Sequence, residues 1–286
     1  MPSVRQIKRR IRSVENTGKL TKAMEMVAAA KMRRAQSDVV AARPYAAKMN
    51  ELLSHLAAMP IDDPTALHPL LKNRETENIS IIQITPDRGM CGGLVGNLNR
   101  KTGTFMLDAD APSSVVTVGV KGRDFMVRSS RNVRASFTGL GDRPKLIDTT
   151  AVSHIVMDDF SNGVCDAVYL AYTEFVNTAV QRPVVRRLLP VDTSTVSARE
   201  MTGYIYEPYQ YELMERMLPR IVEMQVYAAI LESNASEQSA RMLAMRNATE
   251  NANELVKELT LAANKARQAS ITGELLDIIG GSLTFD

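Results

Sequence analysis

The chain has 286 residues, 45% of them hydrophobic but only 5% aromatic, with no Trp, two Cys and a formal net charge of +3. That length allows one large domain or two modest ones. The two thiols, Cys91 and Cys165, lie far apart, which excludes a disulfide framework or a cysteine-rich metal site and fits a reducing compartment.

No run approaches the ~18 apolar residues of a membrane-spanning helix, and "MPSVRQIKRRIRS" lacks the apolar core of a secretion signal. The charge is unevenly placed. Residues 1–34 carry ten Lys/Arg against Glu15 and Glu25, so this end is +8 and the remainder is −5. A basic end suits an anionic partner or a solvated helix face. Nucleic acid is the weakest of these partners, because the run has no interleaved aromatics to stack on bases.

The first predicted element covers residues 3–57. Steps of three and four residues from Val4 pass through Ile7, Ile11, Val14, Ala28, Met32, Ala35, Val39 and on to Leu56, and only Gly18, Thr21 and Glu25 are not apolar. This is the 3.5-residue repeat of a coiled coil. Pro60, Pro64 and Pro69 close it.

Residues 78–190 alternate between strand and helix signals. "ISIIQI" (79–84), "SSVVTVGV" (113–120), "VRASFTG" (133–139), "DAVYLAYTEF" (166–175) and "VVRRLLPV" (184–191) read as strands, and 146–160 as a helix. Short parallel strands with crossover helices imply an α/β layered domain. After the first strand comes "TPDRGMCGGLVGN" (85–97). It lacks the Lys-Ser/Thr of a P-loop and the Gly-x-Gly-x-x-Gly spacing of a dinucleotide site, so a tight strand-to-helix turn or a contact loop is expected. No Gly-x-Ser-x-Gly elbow is present, and His55, His68 and His154 stand alone. The chain is expected to carry no catalytic residues, metal or cofactor.

The C-terminal element mirrors the first. From Met214 the same spacing runs through Ile221, Leu231, Ala235, Met245, Ala252 and Ala263 to Ala266, with Gln238 and Thr249 as its polar breaks. Residues 1–57 sum to +8 and 207–286 to −5, and complementary flanking charges favour pairing of these two helices. At 1.5 Å per residue they would be roughly 80 and 100 Å long. The expected architecture is therefore α/β: a long antiparallel coiled coil of N- and C-terminal helices (1–58 and 208–286) with an inserted Rossmann-like α/β domain (76–192).

The segments "IRSVENTGKLTKAMEMVAAAKMRRAQ" (11–36), "DRGMCGGL" (87–94) and "SEQSARMLAMRNATENANELVKELTLAANKARQASITGELLDIIGG" (236–281) closely resemble the gamma subunits of F-type ATP synthases, in order and over essentially the whole chain. The resemblance implies a rotor shaft inside a ring of three alpha and three beta subunits. Its foot would meet the epsilon subunit and the membrane-embedded c ring, and the whole would be peripheral, on the cytoplasmic face of a bacterial plasma membrane. It further implies beta-subunit contacts at Met24, Lys31, Arg33, Arg34, Arg241, Arg267, Gln268, Thr272 and Glu274. Foot contacts to the c ring and epsilon would come from Asp87, Arg88, Cys91, Gly92, Tyr204 and Tyr206. Gly273 stands where relatives usually carry a longer side chain, and Gly costs about 1 kcal/mol in a helix interior.

Overall fold

The computed structural model describes residues 3–57, 68–191 and 210–282. Helix α1 is Val4–Ala57, and it runs through Pro44 without a break. Every described side chain of its 3.5-residue series, from Val4 to Met49, is buried or half-buried, including Gly18, Thr21 and Glu25. The last helix, α5, is Gln210–Ser282 and contains Pro219 within its first turns. Its series is likewise buried or half-buried from Met214 to Ala266, and Ser270 is exposed, so the seam stops where the apolar pattern stops.

Residue contacts divide the chain into two compact units, Met1–Ala28 with Arg241–Asp286, and Ala29–Ala240. In the smaller unit two of the interruptions in the α1 series find partners on α5. A Cβ on Gly18 would lie 3.4 Å from the Ala252 Cβ. The hydroxyls of Thr21 and Thr249 lie 2.8 Å apart. Small residues thus set a close antiparallel crossing, and two half-buried hydroxyls satisfy each other there.

The larger unit is built on a five-stranded sheet of β1 (Ile79–Ile84), β2 (Ser113–Val118), β3 (Asn132–Phe137), β4 (Ala167–Phe175) and β5 (Gln181–Leu189). The spatial order is β3-β2-β1-β4-β5. Strands β1 to β4 are parallel, with crossovers through α2 (Leu94–Asp108), α3 (Val120–Arg128) and α4 (Leu146–Ser161). β5 departs from the parallel expectation and pairs antiparallel to β4. The physical reason is connection length, since the short 176–180 turn can close a hairpin but cannot hold a crossover. The strand expected to reach residue 120 ends at Val118 instead, because Gly119 at φ +96° turns the chain into α3.

The central strand β1 is buried along its whole length, as a sheet covered on both faces requires. Its alternate side chains enter different cores. Ile82 and Ile84 join Val116, Val168, Val156 and Phe160 under α4 and the Met214–Ile230 stretch of α5. Ile79 and Ile81 join Val115, Leu98 of α2 and Met126 of α3 on the other face.

Helix α1 reaches this unit through a smaller cluster, in which Ala35 and Val39 meet Leu231, Ala235 and Phe175. Where α5 crosses the β4–β5 hairpin its buried face turns polar. Ser236 Oγ donates to the Thr173 carbonyl at 3.0 Å and Ser239 Oγ to the Thr178 carbonyl at 2.7 Å. Gln238, the break in the series, is buried in the same stretch. In that stretch α5 answers hydrogen-bonding groups of the hairpin as well as the apolar seam.

Candidate functional site

The glycine-bearing loop follows β1 at the carboxyl edge of the parallel strands, the place where α/β folds bind ligands. A cavity of about 280 Å³ lies at that edge, lined by Thr85, Asp87, Gly119 and Gly139 among others, but the helix amides beside it are engaged by the chain's own groups. The first amides of α3 are all taken by the end of β1: Val120 N–H donates to Asp87 Oδ1 at 3.0 Å, Lys121 N–H to the Pro86 carbonyl at 3.2 Å, and Gly122 N–H to Thr85 Oγ1 at 2.8 Å. A carboxylate therefore sits on the helix N-terminus that a phosphate would otherwise use. The second Asp87 oxygen accepts from Gly139 N–H at 3.0 Å.

The rest of the loop is packed down. Cys91 and Leu94 are buried with Ala240 of α5. Arg88, Met90 and Gly92 face outward, Met90 at φ +64° and Gly92 at φ +60°. Of the loop residues predicted as contacts, then, Arg88 and Gly92 are surface groups, Cys91 is internal, and the Asp87 carboxylate is engaged within the chain. Tyr204 and Tyr206 lie outside the described residues.

Two glycines that the sequence reading passed over are the demanding ones. A Cβ on Gly119 would lie 1.9 Å from the Thr85 carbonyl oxygen, and one on Gly122 would lie 2.8 Å from Thr85 Oγ1. They let α3 press onto the end of β1. Gly89 of the loop and Gly96 at the start of α2 have open space where a Cβ would be. The signal available was the G-x-x-G spacing at the β2–α3 junction, "VGVKGRD".

The helical candidates divide by exposure. Arg33 and Arg34 are exposed on α1, whereas Lys31 is half-buried and its Nζ contacts Asp142 Oδ2 at 2.7 Å within the chain. Met24 is half-buried in the smaller unit, as is Arg241. Arg267, Gln268, Thr272 and Glu274 are exposed on α5 at and beyond the end of the seam. Thr272 Oγ1 donates back to the Gln268 carbonyl at 2.9 Å, and Ser270 Oγ donates to Glu274 Oε1 at 3.2 Å.

Alongside these polar groups the helices expose apolar ones. Leu20, Met26 and Val27 of α1 are 61%, 60% and 55% exposed, and Leu261 of α5 is 71% exposed. Leu20 and Val27 are seven residues apart, so they repeat with the seam but on another face of the helix. Reading the off-seam heptad positions for apolar residues would have found them.

The chain thus carries a two-helix seam, apolar side chains facing outward and an α/β unit whose helix N-terminus is capped by its own carboxylate. A family model described as ATP synthase matches residues 3–284. The chain is 56% identical over 282 residues to the ATP synthase gamma chain of Dehalococcoides mccartyi strain ATCC BAA-2266, covering 99% of each.

The chain belongs to the ATP synthase gamma chain family.

The gamma chain of Chloroflexus aurantiacus strain J-10-fl is 48% identical over 286 residues, with 99% of this chain and 98% of that one covered. Among solved structures, a chain of the Euglena gracilis mitochondrial ATP synthase rotor in rotational state 1 superposes with a TM-score of 0.66 at 20% identity, over 94% of this chain and 98% of that one. A chain of the Tetrahymena thermophila mitochondrial central stalk and c ring gives 0.62 at 24% identity, over 80% and 99%. These two likenesses show the shared fold: long terminal helices around an α/β sheet. A gamma chain is a subunit of ATP synthase. Among the described residues no helix is long and apolar enough to cross a membrane, and no group of His, Cys, Asp and Glu could hold a metal ion.

Proposed function

We propose that this gamma chain couples ion flow through a membrane ring to ATP synthesis or hydrolysis by turning as an asymmetric shaft, without making or breaking bonds itself. One observation carries the reading. The two helices cover a heptad seam and still present apolar side chains such as Leu20, Val27 and Leu261 to the outside. Exposed apolar residues repeating along a helix belong against a surrounding partner. A ring of three alpha and three beta subunits supplies one. Because the shaft differs from side to side, it meets each beta subunit with different contacts. Differential contact with conformational states is what allows one body to shift another's equilibrium.

Within this reading Arg33, Arg34, Arg241, Arg267, Gln268, Thr272 and Glu274 are the polar contacts to beta, and Met24 with its exposed neighbour Met26 belongs to the apolar track. The loop 87–94 would meet its partner through Arg88, Met90 and Gly92. The c ring and epsilon are one candidate partner for it. The packing of Cys91 and Leu94 on Ala240, the last residue of the larger unit before α5 continues to Arg241, favours the alpha/beta collar as a second. The chain is expected to sit peripherally, on the cytoplasmic face of a bacterial plasma membrane.

Native mass spectrometry of the protein purified from its own cells tests the assembly. One copy with three copies each of two larger subunits is the expected result, and a homodimer or a nucleotide-bearing monomer would overturn it. Truncation after Leu261 tests the tip: ion-driven ATP synthesis should fall while the sheet keeps its amide-exchange protection. Undiminished synthesis would remove residues 267–274 from the coupling machinery.

A further inference from the structure

The loop that follows β3 holds α1 through two ion pairs of opposite polarity. Lys31 Nζ lies 2.7 Å from Asp142 Oδ2, and Arg143 Nε lies 3.4 Å from Asp38 Oδ2. Lys31 and Asp38 are one heptad apart, each immediately before a buried seam residue, Met32 and Val39. A coiled coil uses charges at such flanking positions to pair with its partner helix and set register. On α1 they pair instead with consecutive residues of a loop of the α/β domain. The crossed signs carry information, because sliding α1 by a heptad would bring Asp38 toward Asp142 or Lys31 out of reach of its acid.

The loop is itself tethered. Gly139 and Gly141, at φ +77° and +76°, shape its turn. Gly139 N–H is held by the same Asp87 carboxylate that caps α3. The path thus runs from α1, through two ion pairs, to a loop pinned at the end of β1. The neighbouring apolar contact is less specific, since Ala35 and Val39 against Phe175 form a small-residue surface whose attraction is not directional. Contacts on the side of a helix also stand farther from the coil axis than the seam does, so a given rotation of α1 displaces them more.

We propose that residues 139–143 form a strap that fixes the axial and rotational register of α1 against the α/β domain and passes load between them. Lys31, Asp38, Asp142 and Arg143 are its positioning residues and Asp87 is its anchor. The proposal rests on the rotor reading. It also assigns Lys31 a role inside the chain rather than against beta.

The side chains of Asp142 and Arg143 are 56% and 63% exposed. Pairs of that kind contribute little to folding, so the effect belongs in coupling under load rather than in stability. The test uses the whole ATP synthase in sealed vesicles, measuring ions pumped per ATP hydrolysed as the opposing gradient is raised. Asp142→Lys and Arg143→Glu should each lower that ratio roughly two- to fivefold at high load, the factor an exposed pair of this class supports, with little change at zero load. The swaps Lys31→Glu with Asp142→Lys, and Asp38→Arg with Arg143→Glu, should restore it.

Unchanged ratios at every load, or swaps that fail to restore them, would overturn the strap. If a charge reversal prevents assembly, Asp142→Asn and Arg143→Gln give the same reading with smaller effects. Loss of pumping in the unmutated complex would instead count against the rotor reading. A drop caused by Lys31→Glu but not by Asp142→Lys would return Lys31 to the beta interface.

Discussion

Helix α5 lives under two regimes along its length. From Leu218 to Ala240 it is wrapped, with Leu218, Ile221, Val222, Val226, Ile230 and Ala235 all nearly inaccessible. From Arg241 to Leu276 only a stripe is covered, through Met245, Ala252 and Ala263, and Leu261, Ile271, Leu275 and Leu276 stand exposed. A helix that is apolar on most sides must be surrounded by its own domain, whereas a strict seam asks for one partner helix. The first stretch is therefore a structural post for the sheet. The second is a working surface, and mutations should separate the two.

Glycines give the sharpest contrast. Gly119→Ala would drive a Cβ to 1.9 Å from the Thr85 carbonyl oxygen at a φ of +96°. The expected cost is about 4 kcal/mol or more, in the range reserved for strain and overpacking. Loss of amide-exchange protection across β1 in the assembled complex would register it. Unchanged protection would mean that α3 does not press on β1 as described.

Apolar truncation comes next. Leu218 is fully buried, so Leu218→Ala should cost about 2–5 kcal/mol and lower protection throughout the sheet. Leu261→Ala should change stability by no more than about 0.5 kcal/mol, as surface substitutions do, while lowering ATP synthesis. Equal effects of the two on protection would erase the division between the wrapped and striped stretches.

Gly273 has no neighbour within 4 Å of a built Cβ and lies in the helix interior. Gly273→Ala should therefore stabilise the end of α5 by about 1 kcal/mol, seen as slower local exchange around 268–276 and no change in the sheet.

The smallest effect concerns Glu232, in the wrapped stretch. Burial is the main cause that raises its carboxyl above the ordinary 4.5; nearby Glu174 adds to the shift, and Arg186 and Arg43 oppose it. An acid whose folded value is raised supports the fold fully below its unfolded value and loses that support as pH rises through the folded value. Glu232→Gln should accordingly raise the melting temperature at about pH 8 and leave it unchanged near pH 4, where the natural side chain is also neutral. A lower melting temperature at alkaline pH would show that attraction to Arg186 and Arg43 outweighs the desolvation of the carboxylate.

Much of this could be read before any coordinates. The heptad series from Val4 and Met214 is buried or half-buried at every described position as far as Ala266, because a 3.5-residue apolar repeat has no other way to leave water. The strand segments were legible from their short apolar and β-branched runs, although the fifth was misplaced by a few residues and its direction was not legible. The polar interruptions read as blemishes from sequence alone, and their meaning came from pairing: Gly18 needs Ala252 opposite it, and Thr21 needs Thr249. Asp87 shows the same limit at the candidate site. The resemblance offered it as a contact residue, and only the structure shows that its carboxylate caps a helix that begins 33 residues later.

By itself, then, the sequence determined the elements whose physics is local and periodic: two long amphipathic helices, an alternating α/β segment between them, and a strand-to-helix turn lacking phosphate-binding chemistry. Tertiary structure decided what depends on residues distant in the chain. It set the antiparallel course of β5, the two glycines that admit α3 to β1, and the pairing of Lys31 and Asp38 with a loop more than 100 residues away. The physical reason is that periodicity tells which side chains must leave water, whereas a hydrogen bond or an ion pair exists only once both partners have been brought within about 3 to 4 Å.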